Sequence, residues 1–196
     1  MNIRQRIKEL DNIWYHYKTH ILIGILIIAA LVPLAFFDKH EKPTALNVTF
    51  VGNTIEDKQQ QALQKKANFQ MLKPDSKSEI KLNFWRINGN LTTTQDNMDL
   101  YQKLLTQIAA KDIDILVLDK SDFLVLSQQG AFKDLDFINK VNHDKKSNKN
   151  AIDLTEHALL RQAGFNSDNK VMAILSNTKK EETAIKFVQW FMKQTN

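Results

Sequence analysis

Polar side chains follow three predicted strands of this chain, at the point where each strand ends. In open α/β sheets, ligands bind outside the carboxyl ends of the strands. Hydroxyls, amides and helix N-termini at such an edge suit a small polar or anionic ligand. The same residue types are also favoured in turns and helix caps, which is the commoner reason for their presence. The sequence therefore predicts a ligand site, with a purely structural role as the alternative. The candidate ligand-binding residues are Asn53, Thr54, Asn88, Asn90, Asp119 and Ser121.

Asp119 is the candidate residue whose side chain could have a catalytic role as well as a binding role. A carboxylate in this position could bind Mg²⁺ or act as a nucleophile, with Lys120 and Ser121 as neighbours. No second acidic residue lies at a recognisable spacing from it, and an Asp at a strand end is more often a turn residue. We therefore predict that the protein is not an enzyme. A hydrolase or phosphoryl-transfer enzyme that uses Asp119 is the minor alternative.

The residue types that hold metals and cofactors do not form motifs in this sequence. There is no cysteine, which excludes thiolate metal sites and disulfides. The five histidines lack metal-ligand spacing, and no P-loop, G-x-S-x-G or H-E-x-x-H motif is present. The sequence predicts no metal and no cofactor. The histidines are His16, His20, His40, His143 and His157.

The charge pattern bears on the partners of the protein. The formal net charge is +5, from 27 basic and 22 acidic residues. The lysines alternate with acids, and no arginine-rich patch with aromatic residues is present. The sequence therefore predicts no nucleic-acid partner.

An apolar run covers residues 21–37, which contain no charged or strongly polar side chain. As a helix the run would cover roughly 25 Å, at the lower limit for crossing a membrane. A buried core helix would normally have a polar face. A cleaved signal peptide would have a shorter N-terminal region before its apolar run, and a cleavage site with small residues after it. We predict an uncleaved signal anchor that forms one transmembrane helix.

Basic residues predict the orientation of this helix. They are more frequent before the apolar run than in residues 38–57, which favours a cytoplasmic N-terminus and an extracellular C-terminal domain at the cell membrane. The basic residues are Arg4, Arg6, Lys8 and Lys18 before the run, and Lys39 and Lys42 after it.

Four segments follow from this pattern: a cytoplasmic amphipathic segment (residues 1–20), the transmembrane helix (21–37), a linker (38–43) and an extracellular α/β domain (44–196). Apolar residues in the first segment recur at spacings of three and four. They predict a helix that either lies on the inner leaflet or extends the transmembrane helix.

Strand and helix patterns alternate through the C-terminal domain. Residues 45–51, 79–87, 113–118 and 171–175 predict strands, and helical patterns lie between the first three of them. This order predicts an α/β fold with a small, mostly parallel sheet and helices on both faces. Residues 137–141 predict a short helix, residues 142–150 a polar loop, and residues 155–163 a helix closed by Gly164.

Several residues predict the ends of these helices. Hydroxyl side chains commonly occupy N-caps, a Glu three residues later completes a capping box, and glycine commonly follows a helix. The predicted N-caps are Thr54, Thr93 or Thr94, Ser121 and Thr178 (with Glu181), and the predicted C-terminal glycine of the third helix is Gly130.

Two stretches of the chain, residues 101–136 and 171–192, carry a recognisable pattern. In the first, a helix leads through two aspartates into a strand and a later helix ends in Gly-Ala-Phe. In the second, an apolar strand precedes Ser-Asn-x-Lys and a helix. The matching residues are Asp112, Asp114, Gly130, Ala131, Phe132, Leu135, Asp136, Ser176, Asn177, Lys179, Ala184, Lys186, Phe187 and Trp190.

This pattern resembles that of extracellular solute-binding proteins of the two-lobed periplasmic type. The resemblance implies a periplasmic-binding-protein-like lobe that binds a solute for a transporter. The segment between Asp136 and Val171 is too short for a second lobe, and the lipid-anchoring cysteine of such proteins is absent. The chain therefore resembles a single-lobe, membrane-tethered relative of that family.

We therefore expect a membrane-anchored, solute-binding-like domain that is a ligand-sensing or accessory subunit of a membrane transporter complex. Its expected partners are the membrane, an integral membrane protein such as a transporter, and a small polar ligand. A protein-interaction or scaffold module with no small-molecule ligand is the alternative.

Overall fold

The computed structural model describes residues 15, 17–29, 42–135 and 149–194. The chain divides into two compact units, Met1–Glu41 and Lys42–Asn196. In the first unit, residues 17–29 are helical. Most of the predicted amphipathic segment, the short helix at residues 137–141 and most of the polar loop at 142–150 lie outside the described residues.

The predicted transmembrane helix, residues 21–37, is described only as far as residue 29. Among the described residues, no helix is both long and apolar enough to cross a membrane. The membrane span stays a prediction from the sequence.

The second unit has the predicted α/β fold. A short 3-10 turn, Gln95–Asn97, precedes the second helix, and the two-residue strand β4 was not predicted. The helices and strands are β1 Thr44–Gly52, α1 Asp57–Met71, β2 Glu79–Arg86, α2 Met98–Ala110, β3 Ile115–Asp119, α3 Lys120–Gln128, β4 Ile152–Asp153, α4 Ala158–Gln162, β5 Lys170–Ile174 and α5 Glu181–Met192.

The five described strands form one sheet in the order β2-β1-β3-β5-β4. β1 pairs in parallel with both β2 and β3, as predicted. β5 runs antiparallel to β3 and to β4, so the sheet is mixed and the prediction of a mostly parallel sheet needs correction. The reason lies in the connection before β5. The connection from β4 through the short helix α4 to β5 begins and ends at the same end of the sheet. Such a connection joins antiparallel neighbours.

Helices pack on both faces of the sheet, and each face has its own apolar core. Alternate residues of β1 and β2, such as Leu46 and Ile80, face α1, α4 and α5. The opposite face of β3 and β5, including Leu116 and Ala173, packs against α2 and α3. The middle strand β3 is buried on both faces, as its continuous apolar sequence predicts.

The predicted N-caps are mostly wrong. The N-caps of α1, α3 and α5 are Glu56, Asp119 and Lys180, and none of these side chains makes a capping hydrogen bond. Thr94 precedes the 3-10 turn, also without a side-chain cap bond. Thr178 lies two residues before the N-cap, where its hydroxyl donates to a buried carboxylate and accepts the main-chain N–H of Lys180 at 3.1 Å.

Two other helix predictions have a mixed outcome. Gly130 and Gly164 both have positive φ angles, of 72° and 82°, as expected for residues that end helices. The helix predicted at residues 155–163 is limited to α4, which is only five residues long.

The buried carboxylate of Asp114 connects three parts of the second unit. Oδ2 accepts the main-chain N–H of Asn47 at 2.8 Å and the Nζ of Lys180 at 3.2 Å. Oδ1 accepts the Thr178 hydroxyl at 2.5 Å. The main chain of Asp114 bonds to Asn47 and to Leu175. This one residue therefore fixes β1, β3 and the connection from β5 to α5.

Replacement of Asp114 by Asn should destabilise the protein by roughly 2–3 kcal/mol. The amide keeps one acceptor oxygen for three donors and removes the negative charge that pairs with Lys180, so at least one donor loses its partner. Urea unfolding of the full chain in a non-ionic detergent measures the loss. The control is Asp112→Asn, because the exposed Asp112 contributes only its main-chain oxygen to the bond with Asn47 Nδ2. Equal unfolding midpoints for the two variants would contradict the role of Asp114.

His157 is buried where α4 begins, against α5. Its ring stacks on Phe191, with centroids 4.3 Å apart, and its Nε2 lies 3.2 Å from the Phe191 carbonyl oxygen. Nδ1 has no hydrogen-bond partner among the described residues. Burial lowers the pKa of His157, and the Phe191 carbonyl offsets only part of this effect. The fold therefore favours the neutral imidazole.

The pKa of His157 is lower in the folded protein than in the unfolded chain, so protonation favours unfolding. The free energy of unfolding should therefore decrease as the pH falls below about 6.5, the pKa of an unfolded histidine. The decrease is at most about 1.4 kcal/mol per pH unit for one proton. Urea unfolding between pH 7 and pH 5 measures the slope.

The variant His157→Gln should flatten this slope, whatever its own stability. His20→Gln is the control, since His20 is exposed in the helical segment 17–29. Parallel slopes for the wild type and His157→Gln would show that His157 does not cause the pH dependence.

Candidate functional site

A cavity of about 380 Å³ lies at the carboxyl ends of β1, β2 and β3, where the sequence predicts a ligand site. Three of the six predicted side chains, Asn53, Asn88 and Asp119, line it together. The other three, Thr54, Asn90 and Ser121, are not among its lining residues. We call this space the carboxyl-end cavity. Its lining residues are Gly52, Asn53, Arg86, Ile87, Asn88, Gly89, Asp119, Asn166, Asp168 and Lys170.

Asn53 has a structural role in this cavity. Its Nδ2 donates to the carbonyl oxygens of Gly164, at 2.8 Å, and Thr54, at 3.0 Å. Its Oδ1 accepts the main-chain N–H of Asn166 at 2.8 Å. These bonds tie the end of β1 to the turn before β5, and they use both polar atoms of the side chain. Asn53 therefore shapes the cavity wall.

An ion pair joins Asp119 to Lys170 at the floor of the cavity. Lys170 Nζ lies 2.9 Å from Asp119 Oδ2, and the two residues are direct partners in the antiparallel pair of β3 and β5. The Lys170 side chain is only 7% exposed and the Asp119 side chain 19%. A lysine can be buried to this extent because a carboxylate neutralises it. The carboxylate of Asp119 is thus already engaged with a cation.

Gly52 makes room for this ion pair. A Cβ atom at Gly52 would lie 3.2 Å from both Cε and Nζ of Lys170, and 3.1 Å from the ring of Phe165. Both distances are shorter than most such contacts, so a larger residue would displace Lys170. The glycine that ends β1 therefore lets the lysine stem cross the end of the strand.

Three lining side chains are available to a ligand. Arg86, Asn88 and Asp168 are exposed, and their side chains make no hydrogen bond or ion pair within the described part of the chain. The main chain of Asp168 is fixed, since its N–H donates to Asn166 Oδ1 at 2.9 Å. As far as the chain is described, the cavity therefore offers one free cation, one free carboxylate and one free amide.

Buried polar residues fix the loop that carries Asn88. Asn97 donates from Nδ2 to the carbonyl oxygens of Asn88 and Asn90, at 2.9 and 3.0 Å. The carboxylate of Asp122, in the first turn of α3, accepts the main-chain N–H groups of Leu91 and Thr92 at 3.0 Å. The loop after β2 is thus held by α3 and by the turn before α2.

A second ion pair lies beside the cavity. Lys120 Nζ, at the start of α3, lies 2.6 Å from Asp153 Oδ2 at the end of β4. Partial burial raises the pKa of Asp153, but hydrogen bonds from Lys120 and Thr155 lower it more, so the pKa is below its ordinary value. This pair joins α3 to the edge of the sheet without entering the cavity.

Sequence reasoning missed three charged residues of the cavity, Arg86, Asp168 and Lys170. Arg86 ends β2, and its position directly before the predicted loop was a signal for it. Lys170 is the first residue of an antiparallel strand, so a rule about the carboxyl ends of parallel strands does not include it. Within the described residues, no group of three or more histidines or acids could hold a metal ion.

The fold and the cavity define an α/β unit with a polar cavity at the carboxyl ends of its parallel strands. No protein-family model matches the sequence, and no curated protein and no solved structure matches it either. The resemblance to solute-binding proteins therefore rests on the sequence pattern alone.

Proposed function

We propose that this protein binds a small, zwitterionic polar solute, such as an amino acid or a short peptide, in the carboxyl-end cavity. The observation that carries the proposal is the pair of free, opposite charges in one cavity. Arg86 and Asp168 both line it, and neither is used by the described residues of the protein itself. A guanidinium binds a ligand carboxylate through two parallel hydrogen bonds. A carboxylate binds an ammonium group.

The charge balance and the size of the cavity support a ligand of this kind. The floor pair of Asp119 and Lys170 is neutral as a whole, and so is the pair of Arg86 and Asp168. A neutral cavity favours a solute whose own charges cancel. The volume of about 380 Å³ lies in the range of small-molecule sites, which runs from about 300 to 1,000 Å³.

In this proposal the apolar run at residues 21–37 anchors the protein in the cell membrane, with the α/β unit outside the cell. The support is the excess of lysine and arginine before the run. The linker, residues 38–43, reaches at most about 20 Å when fully extended. Such a short linker favours an interaction between the α/β unit and a partner in the membrane. The protein would then be a ligand-sensing or accessory subunit of a transporter complex.

One observation favours a protein-interaction module as the second candidate. Leu124 and Val125 on α3 are 51% and 37% exposed, and Met98 and Leu105 of α2 are also exposed. A contiguous exposed apolar patch is typical of a surface that binds another protein, and Leu124 and Val125 are neighbours on one helix. A hydrolase or phosphoryl-transfer enzyme that uses Asp119 has less support, because Lys170 already neutralises that carboxylate.

The solute proposal predicts that an amino acid or short peptide raises the thermal stability of the full chain in a non-ionic detergent. A ligand at about 100 times its dissociation constant stabilises by about 2.7 kcal/mol. The variant Arg86→Gln should abolish this shift, because it removes the free cation of the cavity. The matched control is Arg161→Gln, which changes an exposed arginine on α4 outside the cavity.

The screen should also contain sugars and inorganic anions, which lack paired opposite charges. A shift with none of the compounds would contradict the proposal and favour the interaction module. A shift that both arginine variants lose equally, or that neither loses, would place the ligand elsewhere.

The proposed topology predicts that a reporter fused after Asn196 is active only outside the cell. A periplasmic-type phosphatase or an exported β-lactamase measures this location. A second fusion at Met1, with a reporter that works only in the cytoplasm, is the control and should be active. Cytoplasmic activity of the C-terminal fusion would overturn the orientation.

A further inference from the structure

A second cavity, of about 440 Å³, lies between the sheet and α2. Two regular patterns bring its residues together. Lys81, Asn83 and Trp85 alternate along β2 and point to one face of the sheet. Lys103 and Gln107 lie one turn apart on α2, and Lys111 follows the last residue of this helix in a left-handed conformation, with a φ angle of 63°. We call this cavity the lysine groove. Its lining residues are Thr44, Asn47, Lys81, Asn83, Trp85, Lys103, Gln107, Lys111, Asp112 and Lys180.

The lysine groove has a surplus of positive charge. Four lysines line it, and Asp112 is the one acidic residue of its lining among the residues that the structure describes. The carboxyl-end cavity, by contrast, is lined by equal numbers of basic and acidic residues. Neighbouring ammonium groups repel one another, and a bound anion relieves that repulsion. Because Lys81 and Lys180 have acidic partners outside this lining, the positive charge that is open to an anion comes from Lys103 and Lys111.

The lysines differ in how far the protein already uses them. Lys180 bonds to the buried Asp114, and Lys81 Nζ lies 3.9 Å from Glu79. Lys103 lies over the ring of Trp85, with its Nζ 4.9 Å from the ring centroid. Neither Lys103 nor Lys111 has an acidic partner among the described residues. Within the described part of the chain, Lys103 and Lys111 are therefore the lysines of the groove that are free to bind an anion.

A fixed floor of amides lies beneath these ammonium groups. Asn83 Nδ2 donates to Asn47 Oδ1 at 2.6 Å, and Asn47 Nδ2 donates to the main-chain oxygen of Asp112 at 2.5 Å. The chain of amides joins β2, β1 and the residues before β3. These hydrogen bonds hold the side chains of Asn83 and Asn47 in fixed positions and make the floor polar. An anion would therefore not have to displace apolar side chains.

We propose that the lysine groove binds a phosphate-bearing anion, with Lys103 and Lys111 as its main contacts. A carboxylate carries one negative charge and offers two acceptor oxygens to these two ammonium groups. Phosphate groups carry more charge, and lysine is a common partner for them. Free phosphates, phosphorylated solutes and lipid headgroups share this chemistry. The groove includes Thr44, the first residue after the predicted linker, so headgroups belong in the test.

The test is calorimetric titration of the full chain in a non-ionic detergent with inorganic phosphate and pyrophosphate. Pyrophosphate should bind more tightly, because it carries more charge, and added salt should weaken both. The double variant Lys103→Gln/Lys111→Gln should raise the dissociation constant of pyrophosphate about tenfold or more, equivalent to about 1.4 kcal/mol. Both lysines are exposed, so the variant should fold, which its thermal unfolding checks.

The matched control is Lys58→Gln/Lys66→Gln, which removes the same charge from exposed positions on α1. It should leave the dissociation constant within about twofold, since general attraction between separated surface charges is largely screened by salt. Equal losses in both double variants, or no binding of either anion by the wild type, would overturn the proposal. Arg86→Gln should bind pyrophosphate normally, which separates this site from the carboxyl-end cavity.

Nanodiscs distinguish the two sources of phosphate. The full chain is inserted in discs of phosphatidylcholine alone or with phosphatidylglycerol, and the pyrophosphate titration is repeated. If the wild-type protein binds pyrophosphate more weakly in the anionic discs than in the phosphatidylcholine discs, the ligand is a lipid headgroup. The variant Lys103→Gln/Lys111→Gln should then show no difference between the two kinds of disc. Equal binding in both kinds of disc would identify a soluble phosphate compound.

Discussion

The carboxylate of Asp114 is the interaction on which most of the second unit depends. It is buried where β1, β3 and the segment before α5 meet, and it bonds to all three. A buried carboxylate is costly unless donors surround it. Here a main-chain amide, a hydroxyl and an ammonium group satisfy it together, and these bonds stabilise the observed arrangement of the three segments. The position of Lys180 at the lysine groove follows from the same bonds.

The strand β3 connects the two cavities. Asp114 lies just before it and Asp119 ends it, so one short apolar strand carries an acidic residue at each end. At the first end, Asp114 binds Lys180, which lines the lysine groove. At the second, Asp119 binds Lys170, which lines the carboxyl-end cavity. Because the strand between them is buried on both faces, the positions of the two ion pairs are fixed relative to each other.

Local patterns predicted the parts of the fold that local sequence controls. Alternating apolar residues located β1 and β2, because a strand with one buried face has an apolar side chain at every second position. A continuous apolar run located β3, because a strand buried on both faces is apolar throughout. The predicted caps were wrong because the helices begin at other residues. The N-cap of α5 is Lys180, two residues after Thr178, whose hydroxyl bonds to Asp114 and to the main chain of Lys180. The direction of β5 could not be predicted, since the sequence does not say at which end of the sheet a connection lies. For the site, the rule about strand ends located Asn53, Asn88 and Asp119, but it missed Lys170.

The mixed sheet has a direct effect on the chemistry of the carboxyl-end cavity. In a parallel sheet, β5 would place its last residue, Ile174, beside Asp119. Because β5 is antiparallel, its first residue, Lys170, lies there instead. The lysine neutralises Asp119 and leaves Arg86 and Asp168 as the charges open to a solute. The same reversal that a parallel-sheet prediction misses therefore makes the cavity neutral. At the lysine groove, Lys180 and Lys81 have acidic partners, whereas Lys103 and Lys111 have none among the described residues.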